Sequence, residues 1–213
     1  MKIHGDYLMD SIIFDVDGTL WDSTEIVAKA WTKVLAERTD LHMVITSARL
    51  HQLFGQTLPD IARQLFPDET TERQLELIDL CCEEEHRTLL KTPAPTYPGL
   101  EDTLKILSKK YPLYIVSNCE AGYIETFLEA TGLKAYFQGH LCPGDTQNAK
   151  AANIRQIVQD YHLKEPVYVG DTDGDYRACQ KAGVPFVFAS YGFGQVDTPD
   201  YTIEQLKDLV FLF

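Results

Sequence analysis

Ser11-Ile12-Ile13-Phe14-Asp15-Val16 is a short apolar run closed by polar residues and Gly18, the pattern of a buried strand. After it the apolar spacing switches from that of a strand to that of a helix. Ile26, Val27, Ala30, Trp31, Val34 and Leu35 form a helical stripe, with Asp22 as its expected N-cap and Glu25 three residues on. Helical spacing continues through 47–66 and 70–91, broken near Gly55 and at Pro67. Pro93, Pro95 and Pro98-Gly99 then punctuate the chain. Beyond them helical patterns at 100–110, 121–131, 149–161 and 176–182 alternate with strand patterns at 113–116, 136–141, 167–169 and 184–189. This alternation predicts a doubly wound α/β fold, a parallel sheet with helices on both faces. The core is expected over 1–21 and 92–213, opened after its first strand by an all-helical insert, 22–91.

In an open parallel sheet ligands bind beyond the carboxyl ends of the strands, so the residues after each strand are the ones to read for chemistry. Asp15-Val16-Asp17-Gly18-Thr19 closes the first strand, Ser117-Asn118 follows the second, and Gly170-Asp171-Thr172-Asp173-Gly174-Asp175 follows the fourth. Lys150 opens the helix between the third and fourth strands. All of these can converge on one rim. Carboxylates gathered there repel one another unless a hard cation joins them. Mg2+ takes oxygen ligands, typically one or two carboxylates together with a substrate phosphate. A lysine, a hydroxyl and the backbone N–H groups around Gly18 and Thr19 suit the remaining phosphate oxygens.

The overall charge sets a condition on that reading. The 213 residues carry 32 acidic and 19 basic side chains, a formal net charge of −13. Nucleic-acid backbones and anionic membranes are thereby excluded as main partners. A small anionic substrate requires the cation and Lys150 to reverse the field locally. Five cysteines, Cys81, Cys82, Cys119, Cys142 and Cys179, form neither a C-x-x-C pair nor a zinc spacing, which predicts free thiols in a reducing cytoplasm. The N-terminus, Lys2 followed by polar residues, resembles no signal peptide, and no apolar stretch approaches the roughly 18 residues of a membrane helix. Nothing in the sequence indicates an oligomeric state.

Asp15-x-Asp17-Gly18-Thr19 at the end of a first strand resembles the opening motif of the haloacid dehalogenase-like superfamily. Ser117, Lys150 and Gly170-Asp171-x-x-x-Asp175 are similar to its other three motifs, in the same order. The insert resembles the helical cap of phosphoglycolate phosphatase-like members, and the resemblance spans the whole chain. It implies a Mg2+-dependent phosphatase acting on small phosphate monoesters, phosphoglycolate-like or sugar phosphates. In that scheme Asp15 attacks phosphorus and forms an aspartyl-phosphate, and Asp17 is the general acid and then the base. The ion is held by Asp15, the Asp17 backbone carbonyl, Asp171 and Asp175, the last directly or through water. Ser117 and Lys150 hold the phosphoryl oxygens. Gly18, Thr19, Asn118 and Gln56 are the expected further substrate contacts. One departure is Ala151, where many relatives follow the lysine with proline.

Two alternatives share parts of this set. A sugar-phosphate mutase of the β-phosphoglucomutase type has the same motifs and returns the phosphoryl group to a sugar. A phosphorylation-dependent signalling module uses a similar acidic cluster, with no large helical insert. Asp17 sets the chain apart from the dehalogenase branch, which lacks an aspartate there. A phosphonate-cleaving enzyme would need an insert lysine, and Lys29, Lys33 and Lys91 have no distinctive context. Asp171–Asp175 is no EF-hand, because its glycine comes early and Ala182 stands at the twelfth position. Asp173 reads as turn chemistry and Glu83-Glu84-Glu85-His86 as a solvated helix face, while Cys119 reads as an incidental thiol. Substrate selection is expected around Phe54-Gly55-Gln56-Thr57, flanked by Arg49 and Arg63. Trp21-Asp22 and 92–95 are the expected hinges, and Tyr191-Gly192-Phe193-Gly194 is a loop on the same rim.

Overall fold

A computed structural model describes residues 9–213; the N-terminal stretch 1–8, to which the reading of no signal peptide applies, lies outside them. Six strands form one parallel sheet: β1 (Ser11–Phe14), β2 (Leu113–Val116), β3 (Phe137–Leu141), β4 (Pro166–Gly170), β5 (Phe186–Ala189) and β6 (Tyr201–Ile203). Their order is β3-β2-β1-β4-β5-β6. The first five stand within two residues of the apolar runs that predict them. The sixth has only three residues, pairs with β5 at the sheet edge, and has no apolar run to announce it.

Alternation of side chains along the strands explains why both faces are covered. Ile13, Tyr114, Tyr168 and Phe186 pack on one face against Ile154 and Ile157 of α8 (Lys150–Asp160) and Cys179 of α9 (Asp173–Ala182). Ile12, Phe14, Ile115 and Val167 point the other way, into a core that includes Leu104 of α5 (Leu100–Leu107) and Phe127 of α6 (Tyr123–Thr131). A single helical turn, α7 (Pro143–Thr146), links β3 to the segment before α8. Each large apolar side chain so buried stabilises the fold by roughly 1.5–3 kcal/mol.

Between β1 and α5 the chain is helical: α1 (Thr24–Arg38), α2 (Ser47–Leu53), α3 (Leu58–Leu65) and α4 (Thr71–Lys91). Two features of this insert depart from expectation. The N-cap position of α1 is Ser23, whose side chain makes no cap bond; Asp22 instead accepts the Thr24 N–H at 3.0 Å. Glu25 closes no capping box and pairs with Lys29 at 2.7 Å. The chain leaves and re-enters the sheet side by side, with Asp22 N–H donating to Pro95 O and Tyr97 N–H to Leu20 O, both at 3.0 Å. Those are the two segments expected as hinges. Among the described residues no helix is long and apolar enough to cross a membrane.

Candidate active site

Strand order reverses between β1 and β4, and the crevice beyond the carboxyl ends of two such strands is where open α/β sheets bind ligands. The two acidic segments project into this crevice. Gly18 has φ +77°, a left-handed conformation that favours glycine, and a Cβ there would fall on the Asp171 carboxylate. Gly192 faces the same carboxylate from the loop after β5, where a Cβ would also collide with it. The chain therefore wraps closely around Asp171. Phe193 N–H donates to Asp171 Oδ2 at 2.7 Å, and Thr19 Oγ1 lies 3.4 Å from Oδ1. The loop 191–194 thus has a definite task in holding an acid.

Lys150 begins α8 and is buried between two acids, donating to Asp15 Oδ1 at 3.0 Å and to Asp175 Oδ1 at 2.5 Å. Asp175 is also tied into the start of α9, where Thr172 N–H and Oγ1 donate to its Oδ2 at 3.0 and 2.7 Å in a capping box. Burial by itself lowers the Lys150 pKa, but the Asp15 and Asp175 charges overcome it and hold the ammonium above its ordinary value. Burial pushes Asp15 up to about 6, with Lys150 drawing it down and Asp175 pushing it further up. Asp171 is raised well above the carboxylate range, first by burial and then by Asp175 and Asp15.

Asp15, Asp171 and Asp175 are all buried and each offers an oxygen within 4.8 Å of the others. One ammonium against three carboxylates leaves a surplus of negative charge in a site shielded from water. An all-oxygen, anionic set of this kind fits a hard divalent cation.

Asp17 stands apart from this trio. Its Oδ1 accepts from Ser23 Oγ at 2.6 Å, Tyr123 Oη at 2.8 Å and Trp21 Nε1 at 3.1 Å. Its Oδ2 has no partner among the described residues. Burial raises its pKa to about 7, with the Ser23 and Tyr123 hydrogen bonds pulling down and Asp15 and Glu120 pushing up. None of its three donors is charged, so the carboxyl is oriented while keeping a proton close to neutral pH. Sequence reading missed these partners. Trp21 and Ser23 were within reach of a local search, whereas Tyr123 lies more than a hundred residues away and is joined only by the fold.

The insert sits directly over this rim. Asn118 Nδ2 donates to Gly55 O at 2.8 Å, His86 Nε2 meets Glu120 Oε1 at 2.6 Å, and the His51 and Phe193 rings stack 4.5 Å apart. Between rim and insert remains a narrow cavity of about 30 Å³; a single water needs roughly 10–15 Å³ on this measure. Asp15, Asp17 and Ser117 line one side and Trp31, Phe54, Leu58, Ile61 and Glu85 the other.

Several expectations need correction here. Gln56 is turned away: its amide bonds Gln52 O and Gln64, and it lines an outer groove. Its neighbour Gly55 is the residue that touches the rim: its φ of +87° favours glycine, and a Cβ there would press on Thr172. Arg49 bonds Gln52 and Gln64 O, and Arg63 pairs with Asp60, so neither reaches the cavity. Asn118 is at the site, yet its amide donor is committed to Gly55 O. Glu85 belongs to no solvated face. It is buried on the apolar side of α4 and accepts a hydrogen bond from Trp31 Nε1 at 2.8 Å. Spacing held the signal, since Ile78, Cys81, Cys82, Glu85 and Leu89 recur at helical intervals on one buried face. As expected, Asp173 stays outside, paired with Arg177 at 2.7 Å. Lys29 pairs with exposed Glu25 and Lys33 with Glu84, both within the insert. All five cysteines are free and buried, and Cys119 lines the cavity.

Comparison with known proteins agrees with this arrangement. The model of the haloacid dehalogenase-like hydrolases matches residues 12–189. The chain belongs to that family. The match makes it an enzyme of the hydrolase class, and its sequence relatives include phosphatases. The phosphoglycolate phosphatase of Aquifex aeolicus (strain VF5) is 28% identical over 95% of this chain and 95% of its own length. That of Agrobacterium fabrum is 27% identical over 92% of this chain and 89% of its own. In fold, a haloacid dehalogenase-like hydrolase from Streptococcus pneumoniae superposes with a TM-score of 0.81 at 21% identity, over 95% of this chain and 97% of that one.

Proposed function

We propose that this hydrolase is a Mg2+-dependent phosphatase that cleaves small phosphate monoesters through a phosphoryl group carried on Asp15. The observation that carries the reading is the pairing of two unlike sites two residues apart. Asp15 shares a buried cluster with Asp171, Asp175 and Lys150, while Asp17 is held by neutral donors with a pKa of about 7. Curated relatives that are phosphoglycolate phosphatases support the reaction class.

Asp15, Asp171 and the Asp17 backbone carbonyl would hold the ion, with Asp175 nearby and already bound to Lys150 and Thr172. When bound, Mg2+ supplies charge neutralisation to the phosphoryl oxygens. The chain's own groups do the rest. An Asp15 carboxylate oxygen attacks phosphorus in line, and the bond from phosphorus to the alcohol oxygen breaks. Asp17 delivers its proton to that departing oxygen. It then takes a proton from the water that attacks the aspartyl-phosphate, freeing Asp15 and inorganic phosphate. Lys150 and Ser117 hold phosphoryl oxygens in place, with the N–H groups of Gly18 and Thr19 behind them. The insert, 22–91, acts as a cap on the core, 1–21 and 92–213, and opens at the paired segments near Asp22 and Pro95 to admit substrate.

A panel of phosphate monoesters assayed for released phosphate with Mg2+, with Asp15→Asn as control, tests this reading. Phosphate release that disappears in the control is the expected result. Accumulation of an isomerised sugar phosphate would instead identify a mutase. Full activity in Asp15→Asn would refute the role given to Asp15.

A further inference from the structure

We infer that the site takes phosphate monoesters whose leaving alcohol carries hydrogen-bond donors and no carboxylate, and that Glu85 sets this preference. The inference rests on the phosphatase reading above and narrows its substrate class. In-line attack by Asp15 sends the leaving group away from the rim and toward the insert. What it meets there is mostly apolar, Trp31, Phe54 and Ile61, with the carboxyl of Glu85 among them. Glu85 is only 4% exposed; one oxygen takes the Trp31 N–H, and the other has no partner among the described residues. Asn118 Oδ1, on the same cavity, is a buried acceptor without a donor. Glu120 adds a further carboxyl to the lining, with one oxygen engaged by His86.

Acceptors therefore outnumber free donors, and among the described residues no lysine, arginine or histidine lines this cavity. Lys150 is already shared by Asp15 and Asp175. A hydroxyl or ammonium on the leaving group would satisfy acceptors that otherwise stay unpaired in a water-poor space. A carboxylate would do the reverse, adding an anion beside Glu85 and Glu120 with no basic side chain on that lining to balance it. The small volume between rim and insert favours compact alcohols.

The test is kcat/KM with Mg2+ for 2-phosphoglycolate, glycerol 3-phosphate and O-phosphoethanolamine, with p-nitrophenyl phosphate as reference, in the wild type and in Glu85→Gln. Ratios between substrates are compared, since they do not depend on the fraction of enzyme that is folded. The wild type should prefer at least one donor-bearing ester to 2-phosphoglycolate by on the order of tenfold or more, and Glu85→Gln should reduce that ratio several-fold. Trp31→Phe, which removes the N–H holding Glu85, should move the ratio less and in the same direction. The glycerol and ethanolamine arms separate hydroxyl from ammonium recognition. Preference for 2-phosphoglycolate, or a ratio that Glu85→Gln leaves unchanged, overturns the inference and leaves the phosphatase reading standing. No turnover of any ester, p-nitrophenyl phosphate included, overturns both.

Discussion

On the sheet side of the cavity, Asp15 and Asp175 share a buried ammonium, and Asp171 has a backbone N–H and a hydroxyl nearby. On the insert side, Glu85 has, among the described residues, no cation and a single indole N–H. Both walls bury carboxyl groups, but they manage the unfavourable desolvation differently. The rim concentrates charge and compensates it with Lys150, which leaves room for a cation and a phosphoryl group. The insert leaves Glu85 among aromatic and aliphatic neighbours with no basic side chain lining the cavity among the described residues, so a second anion beside it is unfavourable. On the proposed reading, charge chemistry belongs to one wall and selection of the alcohol to the other.

The sharpest way to break this contrast is to remove the shared cation. Lys150→Met should abolish measurable turnover and destabilise the metal-free protein by about 3–5 kcal/mol in denaturant unfolding, because buried Asp15 and Asp175 lose the ammonium they share. Glu85→Gln, made in the opposite wall, should stay within about 1 kcal/mol of the wild type in the same assay, since an amide keeps the Trp31 bond.

Next in size is Asp17→Asn, expected to slow hydrolysis of esters with poor leaving groups by about 10²–10⁴-fold and of p-nitrophenyl phosphate by much less. Because Asp17 holds its proton up to about pH 7, the wild-type rate for poor leaving groups should fall above that pH. The same limb should vanish in the variant. Metal affinity lost to the degree seen in Asp171→Asn would contradict the role given to Asp17.

Metal dependence gives a smaller effect with a definite sign. Asp15 and Asp17 have folded pKa values of about 6 and about 7, above the ordinary 3.8. Between those limits the folded state binds more protons than the unfolded chain. Their contribution to stability is therefore present at low pH and lost as pH rises through about 7. Mg2+ should offset that loss, so the stabilisation it confers should grow from about pH 5 to about pH 8. It should reach roughly 2.7 kcal/mol at a hundredfold excess over Kd and be absent in Asp171→Asn. At the bottom of the scale, Gln56→Ala should change stability by less than about 0.5 kcal/mol and leave kcat/KM unaltered, since its side chain faces the outer groove.

The two walls also differ in how far the sequence reveals them. The rim is written in short local patterns. An apolar strand, then Asp15-x-Asp17-Gly18-Thr19, announces both the turn and its chemistry. The later strands bring Ser117, Lys150 and Asp171 to the same end of the sheet by topology alone. The insert wall has no such code. Glu85 lies in a run of acids that resembles a solvated face, and its burial depends on how α4 meets Trp31 of α1. The Tyr123 hydroxyl reaches Asp17 from a helix that sequence spacing cannot connect to it. Gln56 resembled a contact because its loop does touch the rim, but the touching is done by the Gly55 backbone.

The most direct test of the central claim is covalent. Asp17→Asn, mixed with a hydrolysable ester and Mg2+ and quenched in acid, should carry the mass of one phosphoryl group on the peptide that contains Asp15. The adduct should be absent from the double variant that also carries Asp15→Asn. Release of phosphate from the wild type with no adduct on Asp15 under any quench, or with an adduct on another residue, would contradict it.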